Sequence, residues 1–164
     1  IELRSAFGTW LGWLLPEDAT IVVLRNLDQD PAEILGQAAK VGYDIAGELA
    51  GGIEAWTGAD LATTSTGLVT PTTMTDVERV LDIRQDSEFA AGHLPWAEHS
   101  ELGGLASAAA SLASGPVTVM CGHGERAMSA ASVLERAGHD DVNVLLGGPG
   151  DWAASHGVAL ESGS

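Results

Sequence analysis

A repeat constrains this chain more than any other feature. Residues 21–56, "IVVLRNLDQDPAEILGQAAKVGYDIAGELAGGIEAW", align without a gap on residues 117–152, "VTVMCGHGERAMSAASVLERAGHDDVNVLLGGPGDW", at a constant offset of 96 positions. Val23 falls on Val119, Gly42 on Gly138, Asp44 on Asp140, Leu49 on Leu145, Gly51 and Gly52 on Gly147 and Gly148, and Trp56 on Trp152. Each copy reads as an apolar strand, a helix, a Gly-(Tyr/His)-Asp stop, a second short strand, then a Gly-Gly pair and a Trp. Strands that alternate with helices in this way call for a parallel sheet covered by helices on its faces.

The surroundings of the second copy extend the pattern. Residues 57–76, "TGADLATTSTGLVTPTTMTD", are rich in Thr, Gly and Ser and read as a linker, with "GLVT" as an edge strand. "RVLDIR" (79–84) reads as a strand, "DSEFAAGH" (86–93) as one or two helical turns opened by an Asp or Ser cap, and "GGLASAAASLAS" as a helix closed by Gly115 and Pro116. In parallel sheets the functional edge lies at the carboxyl ends of the strands, and Cys121 stands at one of them.

Charge narrows the partners. With 7 Lys and Arg against 23 Asp and Glu, the formal net charge is −16, a field that repels nucleic-acid phosphates and anionic membranes. No apolar run approaches a membrane span, and "IELRSAFGTW" lacks the features of a signal peptide, so a cytoplasmic location is expected. Cys121 is the one cysteine, which cannot form an internal disulfide and is left for chemistry.

A thiol attacks as its thiolate, and an ordinary cysteine is mostly protonated at neutral pH. "GHGER" follows Cys121, with a helix expected from Arg126 or Ala127. Backbone N–H groups from Gly122, His123, Gly124, Glu125 and Arg126 would therefore converge near the sulfur, aided by the helix N-terminus. Gly122 and Gly124 allow the loop to curl into an anion-holding nest. Arg126, and His123 when protonated, add positive charge. Such a cradle suits a thiolate, a persulfide or an oxyanion. His99, His139 and His156 show no metal-ligand spacing, so neither a metal nor another cofactor is expected. Trp10, Trp13, Trp56 and Trp152 read as core or sheet-covering residues.

Cys121-x-x-Gly124-x-Arg126-Ala127 after "VTVM", with "LDIRQDSEFAAGHLPWA" upstream and "LLGGPGDW" downstream, resembles the rhodanese (sulfurtransferase) domain. The resemblance implies a five-stranded parallel sheet flanked by helices. It also implies transfer of sulfane sulfur from a persulfide or thiosulfate donor, through a persulfide on Cys121, to cyanide, sulfite or a thiol. Gly122 through Arg126 would hold the persulfide, and Asp82 and Arg84 would orient the loop. "GHLPWAEHS" departs from the family at Trp96 and Glu98, and Pro149 with Gly150 should delay the last helix.

In the first copy Arg25 stands where Cys121 stands, and "NLDQDP" replaces "GHGERA". The expected division is a partial, inactive rhodanese-like unit over 1–58, a linker over 59–65 and an active domain over 66–164. Ile1 aligns with Ala97, so the first unit lacks a counterpart of 66–96. Tandem units with the last one active resemble the C-terminal part of fusions between a metallo-β-lactamase-fold persulfide dioxygenase and rhodanese domains, which implies an upstream domain in the same polypeptide. Two other functions compete. Phosphatases and arsenate reductases share the cysteine nest, but the related phosphatases use a longer C-x5-R loop against C-x4-R here. The other competitor is a non-catalytic interaction or regulatory module.

Overall fold

The computed structural model describes residues 1–75 and 79–163. The chain divides into two compact units, Ile1–Ser65 and Thr66–Ser164. The first contains α1 (Phe7–Leu14), β1 (Ile21–Val23), α2 (Pro31–Lys40), β2 (Ile45–Glu48) and α3 (Gly52–Gly58). The second contains β3 (Gly67–Val69), β4 (Val80–Asp82), α4 (Asp86–Ala91), β5 (Glu98–His99), α5 (Leu102–Ala108) with a 3-10 turn at Ala109–Ser111, β6 (Val117–Met120), α6 (Glu125–Arg136), β7 (Val142–Leu145) and α7 (Pro149–His156).

The second unit is an α/β fold built on a parallel sheet flanked by helices, with strand order β3-β7-β6-β4-β5. "GLVT" does form the edge, pairing Gly67, Leu68 and Val69 with Asn143, Val144 and Leu145. β6 is central, between β4 and β7. Its four residues are all buried, as are the three of β4, which is why these strands read as unbroken apolar runs rather than alternating ones. Met74, Val80, Leu94, Met120, Leu145 and Trp152 form a core cluster, with Trp96 partly buried against it. Trp152 is 2% exposed and donates its indole N–H to Met74 O at 3.0 Å, so its polar edge is satisfied inside the core.

In the first unit β1 and β2 form a two-stranded parallel sheet. Phe7, Leu11, Ile34, Ala38 and Tyr43 make its core. α2 starts as its sequence dictates: Pro31 opens the first turn and Asp30 accepts the N–H of Ala32 at 2.8 Å. The elements fall on those of the second unit at the repeat offset, α1 on α5, β1 on β6, α2 on α6, β2 on β7 and α3 on α7. β1 has one neighbour where β6 has two, and Val22 and Leu24 are exposed beside a cavity of about 240 Å³ lined by Phe7, Leu11, Ile21 and Val23. Amides of β1 are expected to exchange with deuterium at least about tenfold faster than those of β6, because an edge strand opens without global unfolding. Equal protection in a peptide-resolved exchange experiment would show that some other segment or chain covers β1.

Three local expectations change and one is met. α6 begins at Glu125, because Gly124 takes φ 97° and acts as the N-cap. α4 is capped by Gln85 rather than by Asp86 or Ser87, with the Gln85 N–H donating to Glu88 Oε2 at 3.2 Å. The last helix is delayed by one residue: α7 starts at Pro149, whose repeat equivalent Ile53 is already the second residue of α3. Proline tolerates the first position of a helix because no intrahelical bond is needed from it there. Trp13 and Trp56 are 47% and 38% exposed, so neither is a core residue of its unit. Glu98, in the segment that departs from the family pattern, lies in β5 beside Leu81 and accepts both Nε and Nη2 of Arg79.

Candidate active site

Cys121 is the first residue after β6, at the carboxyl end of the central strand, and is 1% exposed. The turn that follows depends on glycine. At Gly124 the backbone is left-handed and a β-carbon would lie a tight 3.2 Å from Leu145 O, so conformation and space both disfavour other residues. This turn brings the Gly124 N–H to Cys121 Sγ at 3.1 Å. α6 therefore starts without a capping side chain, and the sulfur itself accepts the N–H of the N-cap residue. The sulfur thus lies against the start of α6, where backbone N–H groups lack intrahelical partners.

The Gly-Gly pair of the repeat has a role that pattern alone did not reveal. A β-carbon on Gly148 would stand 2.6 Å from Gly122 O and 3.1 Å from Cys121 O. The turn after β7 thus packs directly on the backbone of the cysteine loop. It is held by the Gly148 N–H donating to Asp151 Oδ2 at 2.9 Å. The equivalent Gly52 has φ 60°, whereas Gly148 has φ −133°, so one sequence pair serves two backbone shapes.

Arg126 lies in the first turn of α6 and is gripped by a carboxylate. Its Nη1 and Nη2 donate to Glu88 Oε2 and Oε1 at 2.6 and 2.7 Å, a two-pronged pair across elements distant in sequence. The Glu88 carboxyl is held below the usual carboxylate range, chiefly by the Arg126 hydrogen bond, with partial burial opposing and the Gln85 N–H and the charges of Arg126 and Arg84 assisting. Arg126 is pushed up, first by the Glu88 bond against the effect of burial, then by the charges of Glu88, Cys121 and Asp82. Both groups of the pair are accordingly ionised at neutral pH. A β-carbon on Gly122 would lie 3.6 Å from Nη2, which places the guanidinium over the cysteine loop.

Asp82 and Arg84 stand one layer behind. Asp82 is fully buried and Arg84 is 7% exposed. Arg84 donates Nε to both carboxylate oxygens of Asp82 at 3.0 Å, and Nη2 to Oδ2 at 2.7 Å. The same guanidinium donates to Glu88 O at 3.1 Å and Gly92 O at 2.8 Å, tying α4 and the turn after it to the end of β4. His99 Nε2 lies 2.8 Å from Arg84 O, and Phe89 stacks between the rings of His93 and His99.

The structure thus brings together Cys121, Gly122, Gly124 and Arg126, with Asp82 and Arg84 linked to them through Glu88. The His123 side chain is exposed and Glu125 is half-buried. Glu88 and Gly148 are the positions that sequence reasoning undervalued. The signals available were an acidic residue upstream of a loop arginine and a Gly-Gly pair present twice. Among the described residues no group of three or more His, Cys, Asp or Glu is placed to hold a metal ion, and no described helix is long and apolar enough to cross a membrane.

The corresponding loop of the first unit has the opposite polarity. Arg25 donates Nη1 to Asn26 O at 3.2 Å and Gln29 O at 3.0 Å, and its Nε lies 3.0 Å from Glu48 Oε1. Carbonyl groups meet a cation there, and the following helix is already capped by the Asp30 carboxylate. That loop has neither a nucleophile nor an uncapped helix end.

A family model described as a rhodanese-like domain matches residues 71–155. The thiosulfate sulfurtransferase GlpE of Pseudomonas fluorescens is 38% identical over 87 residues, which are 52% of this chain and 79% of that protein. GlpE of Pseudoalteromonas translucida is 30% identical over 83 residues, 50% of this chain and 79% of that protein. The crystal structure of a rhodanese-like domain protein from Staphylococcus aureus matches with a TM-score of 0.50 and 25% identity, covering 60% of this chain and 100% of that one. A rhodanese-related protein from Thermoplasma volcanium matches with a TM-score of 0.52 at 20% identity, over 58% of this chain and 97% of that one, a likeness of fold.

Proposed function

Since this chain belongs to the rhodanese-like domain family, we propose that it is a sulfurtransferase in which Cys121 carries the transferred sulfur. The observation that carries this reading is the Cys121 sulfur accepting the Gly124 N–H at an uncapped helix N-terminus. The thiolate attacks the outer sulfur of a donor, R–S–SH. A Cys121–sulfur bond forms, the donor's sulfur–sulfur bond breaks with its electron pair, and R–S⁻ leaves to take up a proton. The outer sulfur remains as a persulfide until a thiol, sulfite or cyanide attacks it and returns the Cys121 thiolate. Backbone N–H groups from Gly122 to Arg126 hold the persulfide, Arg126 closes the loop, and Asp82 and Arg84 keep the loop in place. No metal or other cofactor enters these steps.

The preferred donor is a thiol persulfide. Cys121 is 1% exposed, so the atom next to the reactive sulfur must fit a narrow approach. In a persulfide that atom is a two-coordinate sulfur; in thiosulfate it is a tetrahedral sulfur with three anionic oxygens. Glu88, Glu125 and a net charge of −16 also oppose a dianion. Residues 1–65 act as a non-catalytic companion, a reading supported by Arg25 in the nucleophile's place. The tandem order supports a role within a larger persulfide-metabolising polypeptide with an upstream domain, the reading suggested by metallo-β-lactamase fusions.

Incubation with glutathione persulfide is expected to add one sulfur atom to the protein, seen by mass spectrometry and removed by cyanide. The rate constant for loading should exceed that with thiosulfate by at least about tenfold, or about 1.4 kcal/mol. Thiosulfate equal or better at both low and high salt would reverse the donor assignment, and the absence of any adduct with either donor would defeat the sulfurtransferase reading.

A further inference from the structure

We propose that Glu88 is a specificity-determining residue that turns the site away from sulfonate-bearing donors by engaging the charge of Arg126. The inference rests on the sulfurtransferase reading and assigns a residue to its donor choice. A transfer from thiosulfate forms the same Cys121–sulfur bond but expels sulfite, a dianion, so a cation facing the leaving group would lower the barrier. Arg126 is the cation that the cysteine loop supplies, and its Nη2 lies over Gly122. Both of its terminal nitrogens are bound to the two oxygens of Glu88. The pair is neutral as a whole, so Arg126 offers a departing sulfite no net positive charge. A thiol persulfide expels a thiolate with its charge on a single sulfur, for which the backbone N–H groups of the loop suffice.

Glu88 cannot easily swing away. One oxygen also accepts the Gln85 N–H, and its own carbonyl is held by Arg84, which is locked to buried Asp82. Glu88 does not touch the reacting sulfur in this geometry; it acts through Arg126, as a positioning and charge-setting residue.

The test compares single-turnover loading of Cys121 by thiosulfate and by glutathione persulfide, each followed by mass spectrometry on the full chain. Glu88→Gln is expected to raise loading by thiosulfate about tenfold while changing loading by the persulfide less than about threefold. Glu88→Asp, which keeps the charge, is expected to retain the wild-type preference. Arg126→Gln, which leaves the Glu88 charge bare, is expected to slow thiosulfate at least about fivefold more than the persulfide, and this arm stands even where Glu88→Gln fails to fold. An unchanged donor ratio in Glu88→Gln, an equal loss with both donors, or Glu88→Asp behaving as Glu88→Gln would overturn the proposal while leaving sulfur transfer intact. No loading of the wild-type protein by either donor would remove sulfur transfer itself, and with it the premise.

Discussion

Cys121→Ser is expected to take up no sulfur from any donor and to lose at least about a thousandfold in turnover. Serine is close in size to cysteine, and its oxygen can still accept the Gly124 N–H that now meets Sγ at 3.1 Å. The loop, held by Gly124 and by the close approach of Gly148, has no reason to change shape. What disappears is chemical. A hydroxyl ionises far less readily than a thiol, and an oxygen–sulfur bond is a poor store for sulfur that must be passed on. Loss of function with an unchanged circular dichroism spectrum would therefore report on the nucleophile. Turnover retained in this variant would remove the covalent intermediate from the mechanism and favour the non-catalytic module.

Much of this site could be read in the chain because it is local. A buried apolar strand, a cysteine at its end, two glycines within the loop and a helix behind it are separated by a few residues, so sequence pattern and physics coincide. The repeat also placed β1, α2, β2 and α3 correctly on β6, α6, β7 and α7, because each copy keeps the same order of strand, stop and glycine pair. Partners separated by long stretches of chain were not legible. Arg126 reads as a helix-start cation until the fold brings Glu88 to it. Gly148 reads as a turn residue until the sheet sets the β7 turn on the Cys121 backbone. Helix starts were misplaced by a residue or so at α4 and α6, because the capping residues, Gln85 and Gly124, are not those that side-chain preference favours. The inward-facing carbonyls around Arg25 were also invisible in sequence, which showed a missing nucleophile without showing that the loop had reversed its polarity.

Asp82→Ala is expected to destabilise the second unit by about 3–5 kcal/mol, the cost typical of removing one partner of a buried ion pair. Asp82 is fully buried and accepts three side-chain hydrogen bonds from Arg84 as well as its backbone N–H. With the carboxylate gone, the Arg84 charge remains 7% exposed, and its remaining hydrogen bonds among the described residues go to the carbonyl oxygens of Glu88 and Gly92. Deuterium exchange of the central β6 amides, which open only with the unit as a whole, should accelerate by about two to four powers of ten, while β1 in the other unit is unaffected. Replacing both residues together, Asp82→Leu with Arg84→Met, should recover much of the lost stability, because no unpaired charge is then buried. The double variant should still load sulfur poorly from either donor: α4 and the turn after it lose their tie to the end of β4, so the cysteine loop that Asp82 and Arg84 orient is no longer held in place. Stability regained together with full loading would show that Asp82 and Arg84 serve packing alone, whereas stability regained without loading assigns them the orientation of the site.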